Sequence, residues 1–156
     1  MDKKRAPDKT DIEIIRILNE NARATGSELS ERVNLSVSAV IERIKKMEAS
    51  GLIQGYSVIV SETAAGYDTK AIISIRLESA KYNESFCKRI NKLSEVTACD
   101  YITGDFDYML RVVCRSGDDL TRVLNLIKDI PGVSLTRTYV VLEQVKHTVS
   151  VVPDHA

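Results

Sequence analysis

A chain of 156 residues allows one ordinary domain or two small ones. Hydrophobic residues make up 44% and charged residues 28%, a globular balance that excludes a disordered chain. The 22 basic and 22 acidic side chains cancel, which excludes a uniformly basic surface but leaves room for a local one.

The opening "MDKKRAPDKTD" is charged, and no apolar secretory signal follows it. No apolar run approaches the ~20 residues of a membrane span. A soluble cytoplasmic protein without a membrane partner is expected. Thr10-Asp11-Ile12-Glu13 has the spacing of a capping box, so a helix is predicted over 10–21 with Ile14, Ile15 and Leu18 on one face. Thr25-Gly26-Ser27-Glu28 is a second capping box, and Leu29 and Val33 face inward from the short helix after it. Asn34 suits the left-handed conformation of a tight turn. Ser36 or Ser38 caps a third helix, whose Val37, Val40, Ile44 and Met47 form one apolar face and which Gly51 stops.

Beyond Gly51 the pattern becomes extended. "LIQGYSVIV" reads as a strand and "SETAAGYD" as a linker. From Lys70 the order is strand (70–77), helix (82–93), strand (96–103), the turn "GDFD", strand (108–114), helix (118–129), a Pro131-Gly132 break, and a last strand (133–145). That β-α-β-β-α-β order is ferredoxin-like, one antiparallel sheet with two helices on one face. The fold class is therefore α+β: a helix-turn-helix domain over 8–60, a linker over 61–69, and a ferredoxin-like domain over 70–150. Strands 70–77 and 133–145 carry apolar residues on both faces, so the sheet needs a second cover, and dimerisation through this domain is expected.

On a helical wheel, the side of the third helix opposite its core stripe carries Ser38, Ala39, Ile41, Glu42, Lys45 and Lys46, with Arg43 on the flank. Small residues at the N-terminal end permit close approach to a DNA groove, and cations further along can neutralise phosphates. Exposed lysines are more often simply solvated. A short capped helix, a three-residue turn and a longer capped helix make the DNA reading the better one. Lys3, Lys4 and Arg5 read as a solvated tail that could also act as a phosphate-contacting arm.

"DIEIIRILNENAR", "ELSERVNLSVSAVIERIKKMEASGLIQGY", "TGDFDYMLRV" and "IPGVSLTRTYVVL" together resemble the Lrp/AsnC, or feast/famine, family of transcription regulators, over about residues 8–147. The resemblance implies a (winged) helix-turn-helix and a strand linker. It also implies a C-terminal ligand-sensing (RAM) domain and homodimers that can assemble into octamers. By position, Ser36, Ser38, Ala39, Glu42, Arg43 and Lys46 fall on the recognition helix, with Lys45 beside them. Asn34 stands where Gly is usual, Val37 where Pro is common, and Ile41, at an often polar position, could meet a thymine methyl. The family's effector site implies Thr103, Gly104, Asp105, Phe106 and Asp107. There, loop amides would take an amino-acid carboxylate, and Asp105 or Asp107 its ammonium. Thr136 and Thr138 match positions that can line the same site; both also suit cross-strand pairing. Phe106 replaces a frequent Tyr, removing one hydroxyl.

No catalytic triad, H-E-x-x-H or P-loop is present, and no enzyme activity, cofactor or metal is expected. Cys87, Cys99 and Cys114 form no C-x-x-C pair and read as ordinary thiols. The alternative is a porphyrin-precursor decarboxylase-like enzyme of the same superfamily, for which Arg76, Arg111, Arg137 and His147 are the few candidates; His147 and His155 otherwise read as solvated. The sequence thus points to double-stranded DNA, a small-molecule effector and a second copy of itself as partners.

Overall fold

The structure, a computed structural model, describes residues 6–148 and 150–153. Lys3, Lys4, Arg5 and His155 lie outside them. The chain divides into two units: residues up to Ile59 together with those from Lys146 on, and Val60–Val145.

The first unit is built on α1 (Lys9–Glu20), α2 (Gly26–Val33) and α3 (Val37–Ala49). The cap of α1 is Asp8 rather than Thr10. Asp8 accepts from the Asp11 amide at 2.9 Å while Asp11 accepts from the Asp8 amide at 3.1 Å. Two three-residue spacings overlap in this stretch. The earlier one prevails, and its carboxylates also meet the positive end of the helix dipole. Thr25 and Glu28 cap α2 as expected, Asn34 is left-handed at φ 52°, and Ser36 caps α3 through the Ala39 amide. At the end of α3 the Gly51 and Leu52 amides turn back onto the carbonyls of Glu48 and Met47, a Schellman stop. Ile14, Ile17, Leu29, Val40 and Met47 form the core, with Ile15, Leu18, Val33 and Ile44 against it. Val37 departs from its expected core position: it is exposed and packs over Gly26 at the start of α2.

Residues 52–60 are not a strand. Their backbone meets no neighbouring ladder among the described residues, and a strand without one has no partner for its amides. Val58, Ile59 and Val60 are left exposed.

The second unit holds β1 (Thr69–Leu77), α4 (Asn83–Ile90) entered through a 3-10 turn, β2 (Val96–Tyr101), β3 (Tyr108–Cys114), α5 (Gly117–Lys128) and β4 (Val133–Val140). The sheet order is β2-β3-β1-β4, antiparallel throughout, the ferredoxin-like arrangement. β4 ends at Val140, short of the expected 145; Val140 faces Ala71 of β1, and one more contact follows, from the Val141 amide to the Lys70 carbonyl at 2.8 Å. Ala71, Ile73, Ile75 and Leu77 alternate onto the face that meets Phe86, Ile90, Val123 and Ile127 of the helices, and Tyr108, Leu110 and Val112 of β3 join them. The intervening residues lie on the opposite, open face.

Candidate functional site

The outer face of α3 is assembled by its cap and its core stripe. Ser36 Oγ accepts from the Ala39 amide at 3.2 Å and lies 3.1 Å from Ser38 Oγ, so both hydroxyls sit at the helix's positive end. Ser36, Ser38, Glu42, Lys45 and Lys46 are exposed, and Ala39 is half-buried. Lys46 pairs with Glu42 at 2.6 Å one turn earlier, which holds the Glu42 carboxyl below its usual 4.5. Lys45 has no ion-pair partner among the described residues. Leu35, Val37 and Ile41 form an exposed apolar flank beside these polar groups.

Arg43 is placed differently from the expectation. Its Nη1 donates to Asp8 at 2.8 Å and to Asp11 at 2.7 Å, and its side chain is only 30% exposed. The bond to Asp8, then that to Asp11, raises the guanidinium further above its already high pKa. Asp8 is thus both the cap of α1 and an anchor for α3, two jobs on residues 35 positions apart. A cleft of about 340 Å³ lies beside these groups, lined by Pro7, Asp11, Ala39, Arg43 and Met47. Sequence reading found the carboxylates and the arginine but not their union. The available signal was a second Asp-x-x-Asp spacing ahead of the chosen cap.

The 103–107 loop is pinned from beneath. Gly104 has φ 119°, which a side chain would resist. The Asp107 amide donates to the Ile75 carbonyl at 2.9 Å, and Asp107 Oδ2 accepts from the Leu77 amide at 2.7 Å. Asp107 is therefore committed to β1, at the point where the β1–β4 register shifts. Arg76 donates through Nε and Nη2 to the Asp105 carbonyl at 2.8 and 2.5 Å. The guanidiniums of Arg76 and Arg137 lie 5.5 and 5.4 Å from the centre of the Phe106 ring. Thr103, Gly104 and Asp105 are exposed, and the Asp105 carboxylate makes no hydrogen bond among the described residues.

The expected loop residues are thus together. Thr136 and Thr138 pair across from Ile75 and Ile73, on the helix-covered side of β4, whereas Arg137 points to the open side. Sequence reading had named Arg76 and Arg137 only for the enzyme alternative; their part in holding the loop was missed. Burial pushes the Cys99 thiol up to about 11 and raises that of Cys114, so neither is an activated nucleophile. Among the described residues no cluster of three His, Cys, Asp or Glu could hold a metal ion.

Residues 7–54 match the family model described as winged helix-turn-helix DNA-binding, and residues 70–151 match that of the Lrp/AsnC ligand binding domain. A leucine-responsive regulatory protein of Haemophilus influenzae is 35% identical over 95% of this chain and 92% of its own length. The solved structure of Escherichia coli AsnC superposes with a TM-score of 0.89 at 33% identity, covering 96% of this chain and all of that one. A Neisseria meningitidis transcriptional regulator, solved in complex with L-methionine, also gives 0.89 at 33% identity, over 94% of this chain and 96% of its own.

Proposed function

This chain belongs to the Lrp/AsnC family of transcriptional regulators, and on that premise we propose that it binds double-stranded DNA through the outer face of α3 and answers to an amino acid at the 103–107 loop. The DNA reading is carried by one observation. α3 is held by Val40 and Met47 while its capped N-terminal end and Lys45 stay open to solvent. Ser36, Ser38 and Ala39 are small enough for groove entry, Glu42 accepts from base amino groups, and Lys45 and Lys46 meet phosphates. Arg43 takes part by fixing α3 against α1. A two-fold homodimer through the sheet unit sets two such helices about 34–36 Å apart, and dimers assemble further into octamers. The cytoplasm is the compartment this reading fits.

The amino-acid reading is supported by the methionine complex of the Neisseria relative and by the exposed Asp105 carboxylate. Asp105 faces the ligand's ammonium, amides around Gly104 its carboxylate, and Thr136 and Thr138 are secondary candidates. Asp107 supports the loop from β1. The chain acts as a regulator rather than an enzyme. Of the decarboxylase candidates, Arg76 and Arg137 are engaged with Phe106, and His147 belongs to the other unit.

Two measurements test this. Replacing Lys45 and Lys46 by Ala lowers affinity for a random-sequence duplex, and the log–log salt slope shrinks by up to about one per lost phosphate contact. An unchanged slope removes α3 from the DNA interface. A thermal-shift screen of the standard amino acids raises the melting temperature with at least one of them, and Asp105→Ala abolishes that shift. A flat screen ends the effector reading.

A further inference from the structure

The outward side of α3 is not polar throughout. Val37, Ile41 and Lys45 follow one another at four-residue spacing, so they form one ridge along the helix that rises about 6 Å per step. The ridge is apolar at its N-terminal end and cationic further along. Val37 is 40% exposed and Ile41 42%, and Leu35, in the turn before the helix, is exposed as well. At about 100° per residue, Ile41 stands some 60° from Ser38 and about 40° from Lys45, so it borders the polar groups assigned above to the duplex. Val37 and Ile41 are β-branched, and in a helix such side chains keep essentially one χ1 rotamer. Both also lean over the first residue of α2: a Cβ on Gly26 would lie 3.2 Å from Val37 Cγ1 and 3.7 Å from Ile41 Cδ1. The apolar end of the ridge is therefore stiff and backed by α2 while still open to solvent.

We propose that Ile41, with Val37 behind it, reads the 5-methyl group of thymine in the major groove, so that this ridge sets which sequences the protein prefers. The inference rests on the DNA reading of α3 given above and adds a base-reading element to it. Base edges in the major groove present one apolar group, the thymine methyl; every other group there is a hydrogen-bond donor or acceptor. A recognition helix brings its N-terminal residues to the base edges, which is the end where Val37 and Ile41 stand. Lys45, one turn further along the same ridge, has no ion-pair partner among the described residues and suits a phosphate on the groove wall. An aliphatic side chain forms no hydrogen bond, so a cytosine amino group set against Ile41 would lose its water without replacement, and thymine is favoured over cytosine for a second reason. The fixed rotamer and the backing by Gly26 mean that little side-chain entropy is lost on contact. Continuity with the serine cap and the lysine, on one helix face, selects DNA over a protein partner as the occupant.

The test removes the methyl from the DNA and its partner from the protein. The probe is the duplex that the full chain enriches from a random-sequence pool, remade with deoxyuridine in place of each thymidine in turn. Binding is read by fluorescence anisotropy at one fixed salt concentration. At one or more positions the parent loses about fourfold in affinity, the worth of one buried methyl. Ile41→Ala binds the thymidine and deoxyuridine forms of that position alike, and Val37→Ala narrows the difference; circular dichroism confirms that both fold. Lys45→Ala weakens binding to both forms and keeps the fourfold difference, as a phosphate contact does. A parent indifferent to every replacement, or a pool from which no sequence is enriched, overturns the methyl reading. An Ile41→Ala variant that keeps the parent's preference also overturns it and assigns the apolar ridge to packing against another protein. These outcomes leave the DNA reading of α3 standing, since that reading falls only if the salt slope is unchanged in the variant lacking Lys45 and Lys46.

Discussion

Arg43 donates from a single nitrogen to Asp8 and Asp11, and this ties the middle of α3 to the first turn of α1. All three side chains are partly exposed, so the network stabilises by about 1 kcal/mol rather than by the several of a buried pair. Arg43→Ala therefore lowers the stability of the helical unit by about that amount, and the double variant with Asp11→Ala loses less than the sum of the two singles, although Asp11→Ala also removes the acceptor of the Asp8 amide. Chemical denaturation of the two singles and the double reads this. Fully additive losses would show that no coupling exists. The same logic separates the two loop aspartates. Asp107→Ala leaves the Leu77 amide without its acceptor and costs about 1–2 kcal/mol in addition to any effect on ligand. Asp105→Ala removes a carboxylate that supports nothing in the fold, so its melting temperature without ligand stays at the parent value.

Helix ends set the pH response of the first unit. Glu28 receives the Thr25 amide at 2.6 Å and the Thr25 hydroxyl at 3.0 Å, and the backbone bond, then the hydroxyl bond, keeps its carboxyl below the usual 4.5. A depressed carboxyl contributes above its unfolded value and is lost as pH falls through its folded one. Glu28→Gln is thus less stable than the parent at neutral pH, and the gap in melting temperature closes as pH drops below about 4.5; a constant gap would mean that charge plays no part. At the other end of the chain, Gly132 enters β4 with φ 90°, and a Cβ there would lie 2.1 Å from the Tyr82 ring. Gly132→Ala costs roughly 2–4 kcal/mol by clash and strain together. Gly51→Ala, in open space, costs about 1–2 kcal/mol from strain alone, a difference that paired urea melts resolve. These ends were largely legible in sequence, because caps and stops are local: Thr25, Asn34, Ser36 and Gly51 all sit where their chemistry places them. Non-local features were not. Residues 52–60 have strand composition but no ladder among the described residues, and β4 finds its ladder on β1, a strand far earlier in the chain. Arg43 meets Asp8 across 35 residues, and Phe106 meets Arg137 across the sheet, where no spacing rule reaches.

The chain leaves the helical unit after Ile59 and returns to it at Lys146, so this unit is connected by two segments rather than one. The returning segment is in contact with α1: Ser150 Oγ donates to Asn19 Oδ1 at 3.0 Å. Around it lies a cleft of about 640 Å³, lined by Ile15, Leu18, Leu52, Ile53, Ile59 and Val151. Ile15 and Leu18 belong to the partly buried shell of the helical core, so the tail shelters apolar surface that three short helices cannot cover alone. The same tail is the direct continuation of β4, the strand that carries Arg137, Thr136 and Thr138. The segment between β4 and Ser150 is therefore a covalent route from the sheet to the helical unit. Cutting the chain after Val145 tests the structural half of this argument. The melting temperature of the helical unit falls by about 2–5 °C, hydrogen exchange quickens at α1 amides around Leu18 and Asn19, and protection in β1 and β3 is unchanged. Equal protection of α1 in the cut and full chains would reduce the tail to a passive overlay, and the two-segment connection would then transmit nothing.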